Sequence, residues 1–185
     1  MSLARWIIFG AGSLLILTVS WKPLRDPRSH GFYRFFAWET ILILFLVNME
    51  VWFYKPFAWN QIIAWTLLFL SLVPLAFGVH SLRVHGNTTK QREGDPTLLA
   101  FEKTTALVTS GIFRYIRHPL YCSLLLLAWG IFFKSISLPG TILVFTATAF
   151  LIATARADER ECLQFFGAPY AEYMKKTQMF IPYIL

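Results

Sequence analysis

Phe57-Ala58-Trp59-Asn60-Gln61-Ile62-Ile63-Ala64-Trp65-Thr66-Leu67-Leu68-Phe69-Leu70-Ser71-Leu72-Val73-Pro74-Leu75-Ala76-Phe77-Gly78-Val79-His80 runs without one lysine, arginine, aspartate or glutamate. A helix crossing a hydrocarbon core needs about 20 mostly apolar residues, and this stretch supplies them. Pro74 inside it reads as a kink rather than a gate. Working outward, two more apolar segments precede it, Leu3 to Trp21 and Phe35 to Tyr54. Two follow, roughly Phe113 to Phe133 and Leu138 to Ala155. Aromatic residues gather near the segment ends (Trp6, Trp21, Trp38, Tyr54, Trp59, Tyr115), as an interfacial belt would. The 185-residue chain is 56% hydrophobic and only 15% charged, with a mean hydropathy of +0.54. Such a composition excludes a disordered chain. It also exceeds what the single core of a soluble domain this size can bury. The expected fold is an all-α integral membrane bundle of five transmembrane helices with a cytoplasmic C-terminal helical segment.

Charge orders the five segments across the membrane. The stretches between the first and second spans, between the third and fourth, and after the fifth hold fourteen of the 17 lysines and arginines. The opposite side holds Arg5, Lys55 and Lys134. By the positive-inside rule the N-terminus is expected outside and the tail in the cytoplasm, of the inner or plasma membrane if the cell is bacterial. The net charge of +7 is then topology and contact with anionic membrane lipids rather than nucleic-acid binding. The first segment lacks a good cleavage site at Thr18-Val19-Ser20-Trp21-Lys22 and is expected as a retained helix. Cys122 and Cys162 are too few for a disulfide framework or a zinc site.

The chain reads as one membrane domain over 1–185. Three helices occupy 1–80, and a helical hairpin with a C-terminal segment occupies 107–182. Residues 81 to 112 are expected as a polar cytoplasmic loop, with turns at Gly86-Asn87-Thr88-Thr89 and Gly94-Asp95-Pro96. In the tail, Arg156 to Phe166 reads as a short helix stopped by Gly167. Pro169 suits the first turn of another, through about Lys176.

Two polar clusters stand out. Arg114-Tyr115-Ile116-Arg117-His118-Pro119-Leu120-Tyr121 places arginine, histidine and proline at the mouth of the fourth apolar helix, where helix-end N–H groups meet polar ligands. Snorkelling of Arg117 to phosphates and capping by His118 would account for either residue alone. Arg156-Ala157-Asp158-Glu159-Arg160-Glu161 follows the fifth helix and sets acid against a basic background. Marking the membrane exit is its plain reading; a carboxylate holding hydroxyls or an ammonium is the functional one. The fourth and fifth segments are joined by a short link near Lys134 to Ser137, so they form an antiparallel hairpin. Both clusters then lie at the same end of that hairpin. Glu39 and Glu50 lie nearly on one stripe of the second segment. Intramembrane carboxylates are functional hypotheses by default, although a headgroup-level position near the helix ends would suffice here. His80 and His85 have no neighbouring ligand pattern that would make a metal site.

Leu107-Val108, Gly111-Ile112-Phe113 and Arg117-His118-Pro119-Leu120-Tyr121 come first. Asp158-Glu159, Phe166-Gly167, Tyr170, Tyr173 and Met179-Phe180-Ile181-Pro182 follow in order. This series resembles the signature of the isoprenylcysteine carboxyl methyltransferases, relatives of the small phospholipid N-methyltransferases. The likeness covers residues 107–182. It implies methyl transfer from S-adenosylmethionine, bound on the cytoplasmic side between the last two helices and the C-terminal segment. By motif position, His118 and Tyr121 would contact the cofactor, Val108 and Gly111 would shape its pocket, and Arg117 and Pro119 belong to the same set. Glu159 would hold a polar end of the cofactor and, with Arg156, is the candidate catalytic residue. The family's acidic pair is commonly two glutamates, whereas this chain has Asp158 first. Arg156 and Arg160 are candidates for orienting an anionic substrate group.

The implied acceptor is lipid-like: an isoprenylcysteine-type carboxylate or another apolar carboxylate or thiol. A phospholipid amine acceptor is the alternative within enzymes. A non-catalytic membrane subunit keeping the fold is another, and a reductase a third, because membrane sterol reductases carry a similar C-terminal motif on larger bundles. The sequence leaves the acceptor and the oligomeric state open.

Overall fold

The computed structural model describes residues 3–86 and 104–182. Among them the chain is helical, without a named strand. The turns expected at Asn87-Thr88-Thr89 and Gly94-Asp95-Pro96 lie outside the described residues. Six helices follow in order: α1 (Leu3–Ser20), α2 (His30–Asn48), α3 (Trp59–His85), α4 (Pro119–Lys134), α5 (Leu138–Phe166) and α6 (Ala168–Lys176). Short 3-10 turns at Pro23–Arg25, Met49–Val51 and Gly111–Arg114 punctuate them. α1, α2 with its 3-10 extension, α3 and α5 are long and apolar enough to cross a membrane. α4 is apolar but shorter, with 16 residues, or about 24 Å at 1.5 Å per residue. The chain is an all-α membrane bundle.

Local chemistry sets the boundaries. Ser29 caps α2 by accepting a hydrogen bond from the Phe32 amide at 3.2 Å, so α2 starts ahead of its apolar run. Ser137 caps α5 in the same way through the Gly140 amide. α4 starts only at Pro119, later than hydropathy alone indicates. The residue before a proline is driven out of the helical region, and His118 sits at φ −123°, ψ 63°. Downstream the reverse happens: the fifth span and the expected tail helix are one continuous α5. Nothing between Ala155 and Phe166 breaks it until Gly167, which takes φ +64°. α6 then opens with Pro169 in its first turn.

The α4–α5 hairpin is the centre of the bundle. α3 packs along α4, α2 packs along α5, and α1 lies outside against α2. The shared core joins Ala37, Ile41 and Leu44 of α2, Ala128, Ile131 and Phe132 of α4, and Val144, Ala147 and Leu151 of α5. Small residues let the helices approach closely. At Gly130 a Cβ would stand 3.1 Å from the Leu68 amide nitrogen, so α3 and α4 touch backbone to backbone there. The outer faces remain apolar: Ile7, Leu14 and Leu15 on α1, Phe69, Leu72 and Phe77 on α3, Ile142 and Phe145 on α5. Together they form the lipid-facing belt that a soluble surface would not carry.

The start of α2, the end of α3, the start of α4 and the end of α5 come together at one end of the bundle. The chain after α6 returns across this end. Its Gln178 and Met179 carbonyls accept from the Arg117 and His118 amides at 2.8 and 3.1 Å, and Gln178 N donates to Tyr115 O at 3.3 Å. The same short bridge straps the tail over the mouth of α4.

Candidate functional site

The two polar clusters meet at this end. Arg117 Nε donates to Glu159 Oε1 at 2.7 Å, with both side chains about 10% exposed. Its Nη1 donates to the Met174 and Thr177 carbonyls at the end of α6. His118 lies between the acidic pair, Nε2 3.3 Å from Glu159 and Nδ1 3.5 Å from Asp158. Its ring stacks on Tyr121 at a centroid distance of 5.4 Å, and the Tyr121 hydroxyl donates to Asp158 at 3.2 Å. One helical turn of α4 and one of α5 are thus laced together by two carboxylates, an imidazole, a phenol and a guanidinium.

The electrostatics follow from burial and pairing. Burial by itself would lower the His118 pKa. Hydrogen bonds to Asp158 and Glu159, reinforced by their charges, outweigh it and raise the value above the ordinary one. Stability contributed by the charged ring is therefore fully present below the ordinary histidine pKa and is lost as pH rises through the raised one. Burial is also the main reason that Tyr170 and Tyr173 of α6 ionise well above the usual phenol range. Both stay neutral, and Tyr173 donates to the Phe113 carbonyl at 2.6 Å.

Two cavities flank the knot and share Arg117 in their walls. One, of about 100 Å³, is lined by Val108, His118, Pro119, Tyr121, Asp158, Tyr170 and Tyr173 among others. The other, of about 730 Å³, is mostly apolar; Cys122, Leu125, Trp129, Thr148, Ile152 and Phe180 line it, with Arg156 at its polar side.

Each residue singled out in the sequence takes a definite place. Val108, Arg117, His118, Pro119, Tyr121 and Asp158 line the smaller cavity. Gly111 opens the 3-10 turn at φ +62°, and a Cβ there would stand 2.6 Å from Ser81 Oγ; it shapes the approach of the α3 end. Glu159 turns to Arg117 and His118, so Asp158 rather than Glu159 is the carboxylate of the pair that lines the cavity. Arg156 faces the larger cavity, and Arg160 lines neither. Glu39 and Glu50 lie away from the site: Ser13 donates to Glu39 at 2.7 Å, and Arg5 pairs with Glu50 at 2.6 Å. They fasten α1 to α2.

Sequence reasoning missed His30, which lines the smaller cavity from the first residue of α2. It also left Glu161 without a role, although Glu161 grips His30 through the ring at 2.6 Å and through the backbone amide at 2.7 Å. One signal was present: Glu161 falls three residues after Asp158, on the same face of α5.

The membrane bundle therefore carries a small pocket of mixed polar and apolar lining at one helix end and a larger apolar chamber beside it. Residues 59–167 match the phospholipid methyltransferase family, and the chain belongs to that family. It is 25% identical to Methanethiol S-methyltransferase 1 of Bradyrhizobium diazoefficiens over 187 residues, 96% of this chain and 53% of that protein. It is 21% identical to Methanethiol S-methyltransferase 2 of the same organism, over 96% of this chain and 58% of that protein. A Delta(14)-sterol reductase of Mus musculus is 30% identical over 106 residues, 53% of this chain and 25% of that protein. The chain spans about half the length of the two bacterial relatives. No solved structure matches.

Proposed function

We propose that this chain is an S-adenosylmethionine-dependent methyltransferase that methylates a lipid-like acceptor at the cytoplasmic face of the membrane, with its N-terminus outside. The observation that carries this reading is the junction of the two cavities at Arg117, the smaller lined by charged and aromatic side chains among apolar ones, the larger almost wholly apolar. The donor set suits the cofactor: Asp158 for hydroxyls or an ammonium, Tyr121, Tyr170 and Tyr173 for an adenine face or a sulfonium. A volume of about 100 Å³ is below the usual range for a small-molecule site, so binding calls for outward movement of the side chains that line it. When bound, the cofactor supplies an electrophilic methyl group on a cationic sulfur.

The residues of the chain supply the rest. Arg117, fixed by Glu159, lines both cavities, and His118, beside the same carboxylate, lines the smaller one. The apolar chamber excludes water, which strengthens attraction between a cationic donor and an electron-rich acceptor. Alignment is the main demand of an in-line displacement. Arg156 stands where an anionic acceptor head would lie. A carboxylate or thiolate acceptor needs no strong base, whereas an amine acceptor would have to release a proton to water. The names of the bacterial relatives support sulfur as an acceptor atom. A chamber of about 730 Å³ favours an acceptor with a long apolar part.

Calorimetric titration of S-adenosylhomocysteine into detergent-purified protein tests the cofactor, and labelled methyl donor with membrane extract tests the acceptor. Binding is expected, and His118→Ala should weaken it at least about tenfold, or about 1.4 kcal/mol. The likeness to a sterol reductase supports a second reading. NADPH binding without S-adenosylhomocysteine binding would select it, and cofactor binding without transfer to any acceptor would select a non-catalytic subunit.

A further inference from the structure

His30 is fully buried at the start of α2. It lies outside the stretch matched to the family, which spans residues 59–167. One carboxylate, Glu161, holds it twice, accepting from its backbone amide at 2.7 Å and lying 2.6 Å from Nδ1. With Nδ1 committed to Glu161, the remaining hydrogen-bonding atom of the ring is Nε2. It is buried and has no hydrogen-bond partner among the described residues. A polar nitrogen buried without a partner is costly and rare. The ring lines the smaller cavity, where Asp158 also stands. One ligand atom each from His30, Asp158 and Glu161 lies within 4.8 Å of the others.

We infer that His30, oriented by Glu161, is a ligand-contacting residue of this pocket and hydrogen-bonds a ribose hydroxyl of the nucleoside cofactor. The inference rests on the proposed cofactor. A hydroxyl both donates and accepts, so it suits Nε2 whether the ring is neutral or protonated. A carboxylate beside it suits the neighbouring hydroxyl of a ribose diol, as acidic residues do in other nucleoside sites. His30 touches the ligand, while Glu161 acts through His30 and is a positioning residue. α2 thereby contributes directly to a pocket otherwise built from α3, α4, α5, α6 and the segment 104–118.

The test is calorimetric titration of the full chain in detergent with S-adenosylhomocysteine and with methylthioadenosine, which keeps the nucleoside and lacks the amino-acid end. His30→Ala should weaken both ligands by about tenfold, and His30→Gln, with an amide near the position of Nε2, should recover most of that loss. Glu161→Ala should weaken both by less. The unfolding temperature of each variant without ligand is recorded alongside, and a smaller ligand-induced rise in His30→Ala than in wild type is expected. If His30→Ala does not purify folded, His30→Phe is read in its place. Wild-type affinity in His30→Ala overturns the inference, since the ring then makes no contact with the ligand. Loss confined to S-adenosylhomocysteine overturns the hydroxyl assignment. A wild-type chain that binds neither nucleoside overturns the proposed function itself, a separate outcome.

Discussion

The two ends of α4 carry buried charge in very different company. At the Lys134 end, the ammonium donates to Gln61 Oε1 at 3.0 Å and to the Trp52 carbonyl at 3.3 Å, and it sits 3.5 Å above the Trp65 ring. Gln61 and Asn60 return bonds to the last carbonyls of α4, and Asn48 bonds the Ile131 carbonyl. The charge closes the helix terminus, and Lys134 lines neither of the two cavities. At the Pro119 end, Arg117, His118, Asp158 and Glu159 are also tightly bonded, but two cavities adjoin them and a buried histidine nitrogen beside them has no partner among the described residues. Burial of charge is common to both ends. Open space and an unspent hydrogen-bonding atom are what separate a site from a structural knot.

The largest effect should come from breaking the Pro119 end. Glu159→Ala leaves Arg117 buried without its carboxylate, and removal of one partner from such a pair typically costs about 3–5 kcal/mol. A marked fall in unfolding temperature is expected, together with a loss of S-adenosylhomocysteine affinity above about tenfold. Unaltered affinity in a folded Glu159→Ala protein would detach the ion pair from the pocket and collapse the contrast between the ends.

Lys134→Met sharpens the contrast from the other side. It keeps the volume but leaves Gln61 Oε1 and the Trp52 carbonyl unpaired, a cost of about 1–3 kcal/mol. Thermal unfolding should report that loss, while nucleoside affinity measured by titration stays at the wild-type value. A change in affinity would show that the closed end transmits to the open one.

A smaller step is Tyr121→Phe. The ring that stacks on His118 remains, and the hydroxyl bond to Asp158 disappears. About 1 kcal/mol is at stake, so S-adenosylhomocysteine should bind about fivefold more weakly with little change in unfolding temperature. Equal losses in both would make the bond a structural one.

Much of this was legible in the sequence because it rests on local rules. Apolar run length and the sidedness of lysine and arginine indicated the bundle. The short link at Lys134 to Ser137 indicated that Arg117-His118 and Asp158-Glu159 share an end. Residues 111–121 were harder to place, since hydropathy runs on unbroken while Pro119 keeps His118 out of the helical region and delays the start of α4. The fusion of the fifth span with the tail was missed because charge at Arg156 marks a membrane exit without ending a helix. The spacing from Asp158 to Glu161 hinted at a shared face of α5, but the pairing of Glu161 with His30 was not legible. It joins residues 131 positions apart, and it depends on α2 packing along α5, which no periodicity within either helix specifies. The division of labour between Asp158 and Glu159 is equally a matter of rotation about α5, and residue type does not reveal it.

Glu39 and Glu50 supply the weakest test and the most general one, because carboxylates within an apolar helix invite a functional reading. Here their partners are on α1: Ser13 for Glu39, and Arg5 for Glu50, whose side chain is 73% exposed. An ion pair with one partner so exposed contributes little, since water and salt screen it. Arg5→Ala should therefore shift stability by less than about 0.5 kcal/mol and leave nucleoside affinity untouched in the same titrations. A large fall in affinity would mean that the α1–α2 contact reaches the pocket through α2 and His30. The working end of the bundle would then extend along the whole of α2, rather than being confined to the turn where α2 meets α5.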